Sequence, residues 1–232
     1  MGHPGPEGAR ILPAMSRLNA PSNTHRRVLL SILLLLAVAL AALLLVPRLN
    51  LSGDSGPAEG STEVRFVREM IQHHTQAVDL ATRIRERGTD PAIRTLALDI
   101  LLSQQEQIGQ MHGWLTLWKR PWGGPGMSEA HARSMGMATP QQVKGLNTLP
   151  PAQAETTFLQ LMTRHHQGAL MMAKPVLNAD TDVRPEVQAL ARQIESSQGA
   201  EIRTMTELLK ERGAAPLPAP QGMDGMEMDH QH

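Results

Sequence analysis

One stretch of this chain occurs twice, and that repetition constrains the fold more than any other feature. Phe66, Met70, His73, Ala77, Leu80 and Ile84 follow the 4-3-4-3-4 spacing of a packed helical seam, and Phe158, Met162, His165, Ala169, Met172 and Val176 repeat it 92 residues later. His74 and Ala81 recur as His166 and Ala173. Downstream, Ile100, Ser103, Gln104, Ile108 and Met111 are matched by Ile194, Ser197, Gln198, Ile202 and Met205 at an offset of 94. Each copy therefore reads as two amphipathic helices, with the two extra residues expected in a loop around Pro175 to Pro185, where insertions are tolerated. A lone helical hairpin leaves its seam in water, so two related hairpins are expected to pair around a common core. The predicted fold is all-α, a four-helix bundle over residues 61–213, with repeat 1 at 63–119, a crossover at 120–154 and repeat 2 at 155–213.

Local signals set the expected boundaries. The first helix starts near Ser61; Gly88, Thr89 and Asp90 end it, and Asp90 as N-cap with Pro91 at the first helical position opens the second. The second helix carries Ile93, Ala97, Ile100, Gln104, Gln107, Met111, Trp114 and Trp118 before a break at Pro121 to Gly126. Gly123 to Leu149 is too long for a tight loop and is expected to cross the bundle, with a short helix near Thr139 to Leu146.

Outside the bundle, Val28 to Val46 is an uncharged apolar run interrupted only by Ser31, close to the ~20 residues needed to span a bilayer. Arg10, Arg17, Arg26 and Arg27 precede it, and the positive-inside rule then puts residues 1–27 in the cytoplasm and everything after the run outside. Small-residue cleavage signatures such as Ala37-Val38-Ala39 fall inside the run rather than after it, so an uncleaved single-pass signal anchor in the cell membrane is expected, not a removed signal peptide. Residues 47–60 read as a flexible linker, and residues 214–232 as a disordered tail rich in Met and His.

With 22 basic and 22 acidic residues the chain has no net charge to draw it to nucleic acid, which is not an expected partner. There is no Cys, so thiolate ligands, disulfides and cysteine nucleophiles are excluded, while 14 Met and 10 His remain as soft and borderline donors. Thioethers and imidazoles suit a metal site in an oxidising compartment, where thiols are lost to disulfides.

The candidate site centres on His73, His74, His165 and His166, adjacent pairs at equivalent places in the two repeats. If the first hairpin folds about residue 89, His73 faces Gln104 and Gln107, and Met70 faces Met111 or His112; the second repeat offers Met162, Gln198, Glu201 and Met205. Polar residues on a core seam are costly unless they are hydrogen-bonded or bind something. The alternative is a buried Gln, Glu and His network that fixes helix register. No Glu-x-x-His motif sits at either pair, which argues against a di-iron centre. Thioether beside imidazole favours Cu(I), or the similar Ag(I), with zinc less well suited. Met127, His131, Met135 and Met137 in the crossover, with Met223, Met226, Met228, His230 and His232 in the tail, offer the same donors as auxiliary ligands.

The segments Met70-Ile71-Gln72-His73-His74 and Met162-Thr163-Arg164-His165-His166-Gln167-Gly168-Ala169, with Ile100, Ser103, Gln104, Ile108, Met111 and Trp114 in the second helix, resemble the duplicated signature of the domain-of-unknown-function 305 family over residues 63–212. The resemblance implies a ferritin-like four-helix bundle in the cell envelope that, in some members, binds copper or silver in metal tolerance. Thr75 and Gln76 depart from the Gln-Gly usual in the first motif, which Gln167 and Gly168 keep in the second. The expected function is a membrane-anchored, non-enzymatic buffer or delivery protein for Cu(I) or Ag(I), with another envelope copper protein as the partner class. The competing readings are a metal-dependent redox enzyme and an interaction module without metal.

Overall fold

The structure, a computed structural model, describes residues 23–50, 56–179 and 183–221, and side chains 25, 43 and 45–50 lie outside that description. All regular structure among these residues is helical. The chain divides into two compact units, Met1–Asp54 and Ser55–His232.

The first unit contributes α1, Asn23–Asn50. Val28, Leu29, Leu30, Leu33, Leu36 and Leu40 on it are all more than half exposed. Among the described residues no helix is long and apolar enough to cross a membrane.

The second unit is the bundle, made of α2 (Thr62–Arg87), α3 (Pro91–Leu117), α4 (Glu129–Ser134), α5 (Pro140–Gly145), α6 (Pro151–Leu177) and α7 (Pro185–Glu211). The expected Asp90 cap is in place, and Ser61 and Thr139 cap two further helix starts. The Ser61 hydroxyl accepts from Val64 N at 3.3 Å, and Asp90 accepts from Ala92 N at 2.8 Å with Pro91 at the first position of α3. Thr139 forms a capping box with Gln142 at the start of α5, each side chain taking the other's backbone N–H. α4, capped by Ser128, was not anticipated; at six residues it is too short for a periodic signal. Pro175 lies inside α6 rather than in the following loop, which starts only at Asn178. Near a helix end the lost N–H bond and the ring clash affect only the last turn.

α2 pairs with α3 and α6 with α7, and the two hairpins meet where α2 crosses α6. A duplicated carboxylate ties each hairpin to the turn of the other. Glu155 on α6, buried, accepts from Thr89 N and Asp90 N at 2.5 and 2.8 Å, just ahead of α3. Glu63 on α2, its equivalent 92 residues earlier, accepts from Arg184 N at 2.9 Å at the start of α7, which has no side-chain cap of its own. Arg212 pairs with Asp90 and lies 3.7 Å from Glu155. These contacts fix the hairpins end to end, and orphan N–H groups at a helix start are where a carboxylate is best placed.

The crossover runs along α2 in the same direction. Met127 N donates to Gln72 Oε1 at 2.9 Å, the Gln76 amide exchanges two hydrogen bonds with the Ala138 backbone at 2.9 and 2.7 Å, and Arg87 donates to Leu149 O at 3.0 Å. It also presses on α6. A Cβ at Gly168 would stand 1.8 Å from Met135 O, and one at Gly136, where φ is +76°, 2.2 Å from Arg164 O. This accounts for the asymmetry of the two motifs: a single crossover needs a glycine on α6 where its backbone touches the helix, and a long amide at the equivalent position of α2 where it is held by hydrogen bonds.

Candidate metal centre

The α2–α6 crossing brings all four candidate histidines together with no exposure to solvent. The rings of His73 and His165 stack across it with centroids 3.6 Å apart, and His74 and His166 lie behind them at 6.5 and 6.2 Å from their neighbours. His73 Nε2 donates to Met135 O and His165 Nε2 donates to His73 O, each at 3.0 Å. His74 Nε2 donates to Gln107 Oε1 at 2.7 Å and His166 Nε2 to Glu201 Oε2 at 2.6 Å. Gln107 and Glu201 are separated by the same 94 residues that separate the second helices of the repeats, so these two bonds are one interaction duplicated, amide in one half and carboxylate in the other.

The expected partner of Gln107 was His73; the structure gives His74 instead. Two adjacent residues stand about 100° apart on a helix. At each pair the first histidine points into the interface between hairpins and the second into its own hairpin. Gln104 and Gln198, also equivalent, are buried, and neither Gln104 amide atom nor Gln198 Oε1 has a hydrogen-bond partner.

An acceptor oxygen on Nε2 requires the proton there, so in a neutral ring Nδ1 keeps its lone pair. Burial pushes the His73 imidazolium down to about 4, against the Met135 carbonyl that favours the charged form. Burial and then the neighbouring His73 push His74 down to about 3, and the same two causes hold His165 well below the usual range. The Nδ1 atoms of all four rings are buried without a partner. A ligating histidine typically has one ring nitrogen held by a protein acceptor and the other carrying a lone pair, so these rings fit a cation that accepts nitrogen donors. Among the described residues, however, no three or more His, Asp and Glu side chains group to hold a metal ion.

Sulfur is distributed in two core clusters. Met70 and Met111 share one with Met127, Met137 and Met172, with Met135 packed against it; Met162 and Met205 share the other. Met70 and Met111, expected to face one another, thus fall in one cluster, and Met162 and Met205 in the other. His112 does not join them and stacks on Trp122 at 4.4 Å. His131 lies 3.6 Å from Glu69 Oε2 in a cleft that also takes in Met135, Met171 and Met172. Met171 was not anticipated, because nothing local distinguishes a methionine beside a seam from one on it. Met223, Met226, Met228, His230 and His232 lie outside the described residues.

Residues 63–209 match the family described as domain of unknown function DUF305. The crystal structure of a DUF305 fragment from Deinococcus radiodurans is 52% identical, the match covering 67% of this chain and 99% of that one with a TM-score of 0.62. CopM in its Cu(I)-bound form is 28% identical over 65% of this chain and 96% of its own, TM-score 0.53; the Cu(II)-bound form is 30% identical over 65% and 97%, TM-score 0.55. A curated relative, the uncharacterized protein L153 of Acanthamoeba polyphaga mimivirus, is 39% identical over 51 residues, and the match spans about a third of its length (34%). The two-hairpin architecture, the paired histidines and these matches together place this chain in the DUF305 family.

Proposed function

We propose that this protein binds Cu(I), or the chemically similar Ag(I), in the cell envelope and buffers or delivers it in metal tolerance, with the bundle held outside the membrane by α1. The observation that carries this reading is the set of buried imidazoles with Nε2 held by protein acceptors and Nδ1 left without a partner, next to cores rich in thioethers. Likeness to CopM in copper-bound forms supports it. The metal is cargo. His73, His74, His165 and His166 would supply nitrogen, Met70, Met111, Met162 and Met205 sulfur, and soft donors of this kind select a monovalent d10 ion over zinc. The Met and His residues of 223–232, interspersed with Gly and acidic residues, would add weaker capture. Anchoring is supported by the apolar side chains that α1 exposes on all sides, a pattern that calls for lipid or a protein cover, and by the arginines before it.

A second reading has its own observation. Because every Nε2 is already bonded within the protein, the histidines could serve only to fix the register of α2 on α6. Replacing His73 and His165 together by Leu separates the two. On the copper reading, competitive Cu(I) titration shows affinity lower by tenfold or more, about 1.4 kcal/mol per tenfold, with little change in apo-protein stability. An unchanged titration with a lowered melting temperature would establish the register reading instead.

A further inference from the structure

Most of the methionine and histidine in the bundle is buried, but His131, Met135 and Met171 are only partly so and lie beside the buried Met172. Between α2, α4 and the last turns of α6 lies a cleft of about 330 Å3. Its walls bring together His131 from α4, Met135 from the residue that follows α4, Met171 and Met172 from α6, and Glu69 from α2. His131 and Glu69 keep 42% and 22% of their side-chain surface exposed, and their Nε2 and Oε2 atoms are 3.6 Å apart.

Three thioethers and an imidazole are donors for a soft or borderline ion, and one carboxylate is too little oxygen for Ca2+ or Mg2+, which take six or more. Glu69 and Arg65, which also line the cleft, cancel in charge, which suits a monovalent ion better than a divalent one. An apolar groove built only for packing has no need of an imidazole and a carboxylate side by side. Met135 adds a connection. It lines the cleft and its carbonyl accepts the His73 Nε2 proton, so one residue touches both the open group and the buried histidines.

We infer that Glu69, His131, Met135, Met171 and Met172 form a second, solvent-accessible site for Cu(I) or Ag(I), separate from the buried histidines. This rests on the reading of the chain as a Cu(I)-binding protein. The probe is Ag(I), diamagnetic and closed-shell d10 like Cu(I), added to the full-length protein labelled with 13C at the methionine methyls and kept in non-ionic detergent. Substoichiometric Ag(I) should shift the methyl signals of Met135, Met171 and Met172. The double variant His131→Gln, Met171→Leu conserves volume at two partly exposed positions; it should bind one equivalent fewer while the remaining equivalents bind as before. Full binding by the wild-type protein with those three methyl signals unmoved would overturn the cleft site alone. A wild-type protein that takes up neither Ag(I) nor Cu(I) would overturn the underlying reading, and the cleft site with it.

Discussion

Acidifying the copper-free protein from pH 7 to about 4.5 should remove most of its stability, a larger effect than a bundle of ordinary surface histidines would show. An unfolded histidine titrates near 6.5, whereas burial holds His73 at about 4, His74 at about 3 and His165 well below the usual value. As pH falls below 6.5 the unfolded chain takes up these protons and the folded one does not, so their contribution is complete above 6.5. It is lost through the window from 6.5 down to about 4 for His73 and about 3 for His74. Each group contributes a slope of about 1.4 kcal/mol per pH unit, and three together about 4, against a total stability of about 5–15 kcal/mol for a domain. Urea unfolding followed by far-UV circular dichroism at pH 7, 6 and 5 measures the slope. The His73→Leu, His165→Leu variant should lose most of it. A wild-type stability that is flat between pH 7 and 5 would mean that these rings are hydrated or already charged in the fold.

Glu155→Leu should destabilise the bundle by about 2–5 kcal/mol, the cost of leaving two buried backbone N–H groups without an acceptor. The carboxylate is 2% exposed and accepts two backbone N–H groups of the turn before α3, and Arg212 lies close by. Leucine there leaves the Thr89 and Asp90 N–H groups facing an apolar side chain, while Arg212 keeps Asp90. Glu155→Gln keeps one acceptor oxygen and should cost distinctly less. Glu63→Leu should behave similarly at the start of α7, since its contact with Arg184 N is the same device in the other half. Chemical denaturation of the three variants decides the matter; a Glu155→Leu midpoint equal to that of the wild type would show that the turn finds other acceptors.

Much of the fold could be read because its signals are local or duplicated. The Ser61, Asp90 and Thr139 caps sit where side-chain chemistry puts them, and the 92- and 94-residue offsets gave two hairpins without reference to any contact. The site was legible as a set of residues but not as a set of bonds. Periodicity assigns a face about 100° wide, so it could not say that His73 meets His165 across the interface while His74 takes Gln107. Glu63 and Glu155 obey the same offset but carry no local signal, because a Glu near the start of a helix is ordinary and only the opposing turn makes it special. Pro175 read as a loop residue because proline breaks helices in general, and the structure places it in the last turn, where the cost is small. Met171 and Glu69 became neighbours of His131 only through the path of the crossover, which no local pattern encodes.

Copper bound to the full-length protein offers the shortest route to the central claim. Protein loaded with Cu(I) under anaerobic conditions, passed through a desalting column and examined by X-ray absorption at the copper edge should retain the metal, with both sulfur and nitrogen scatterers in its first coordination shell. Absence of sulfur from that shell, or loss of all copper on the column, would contradict it.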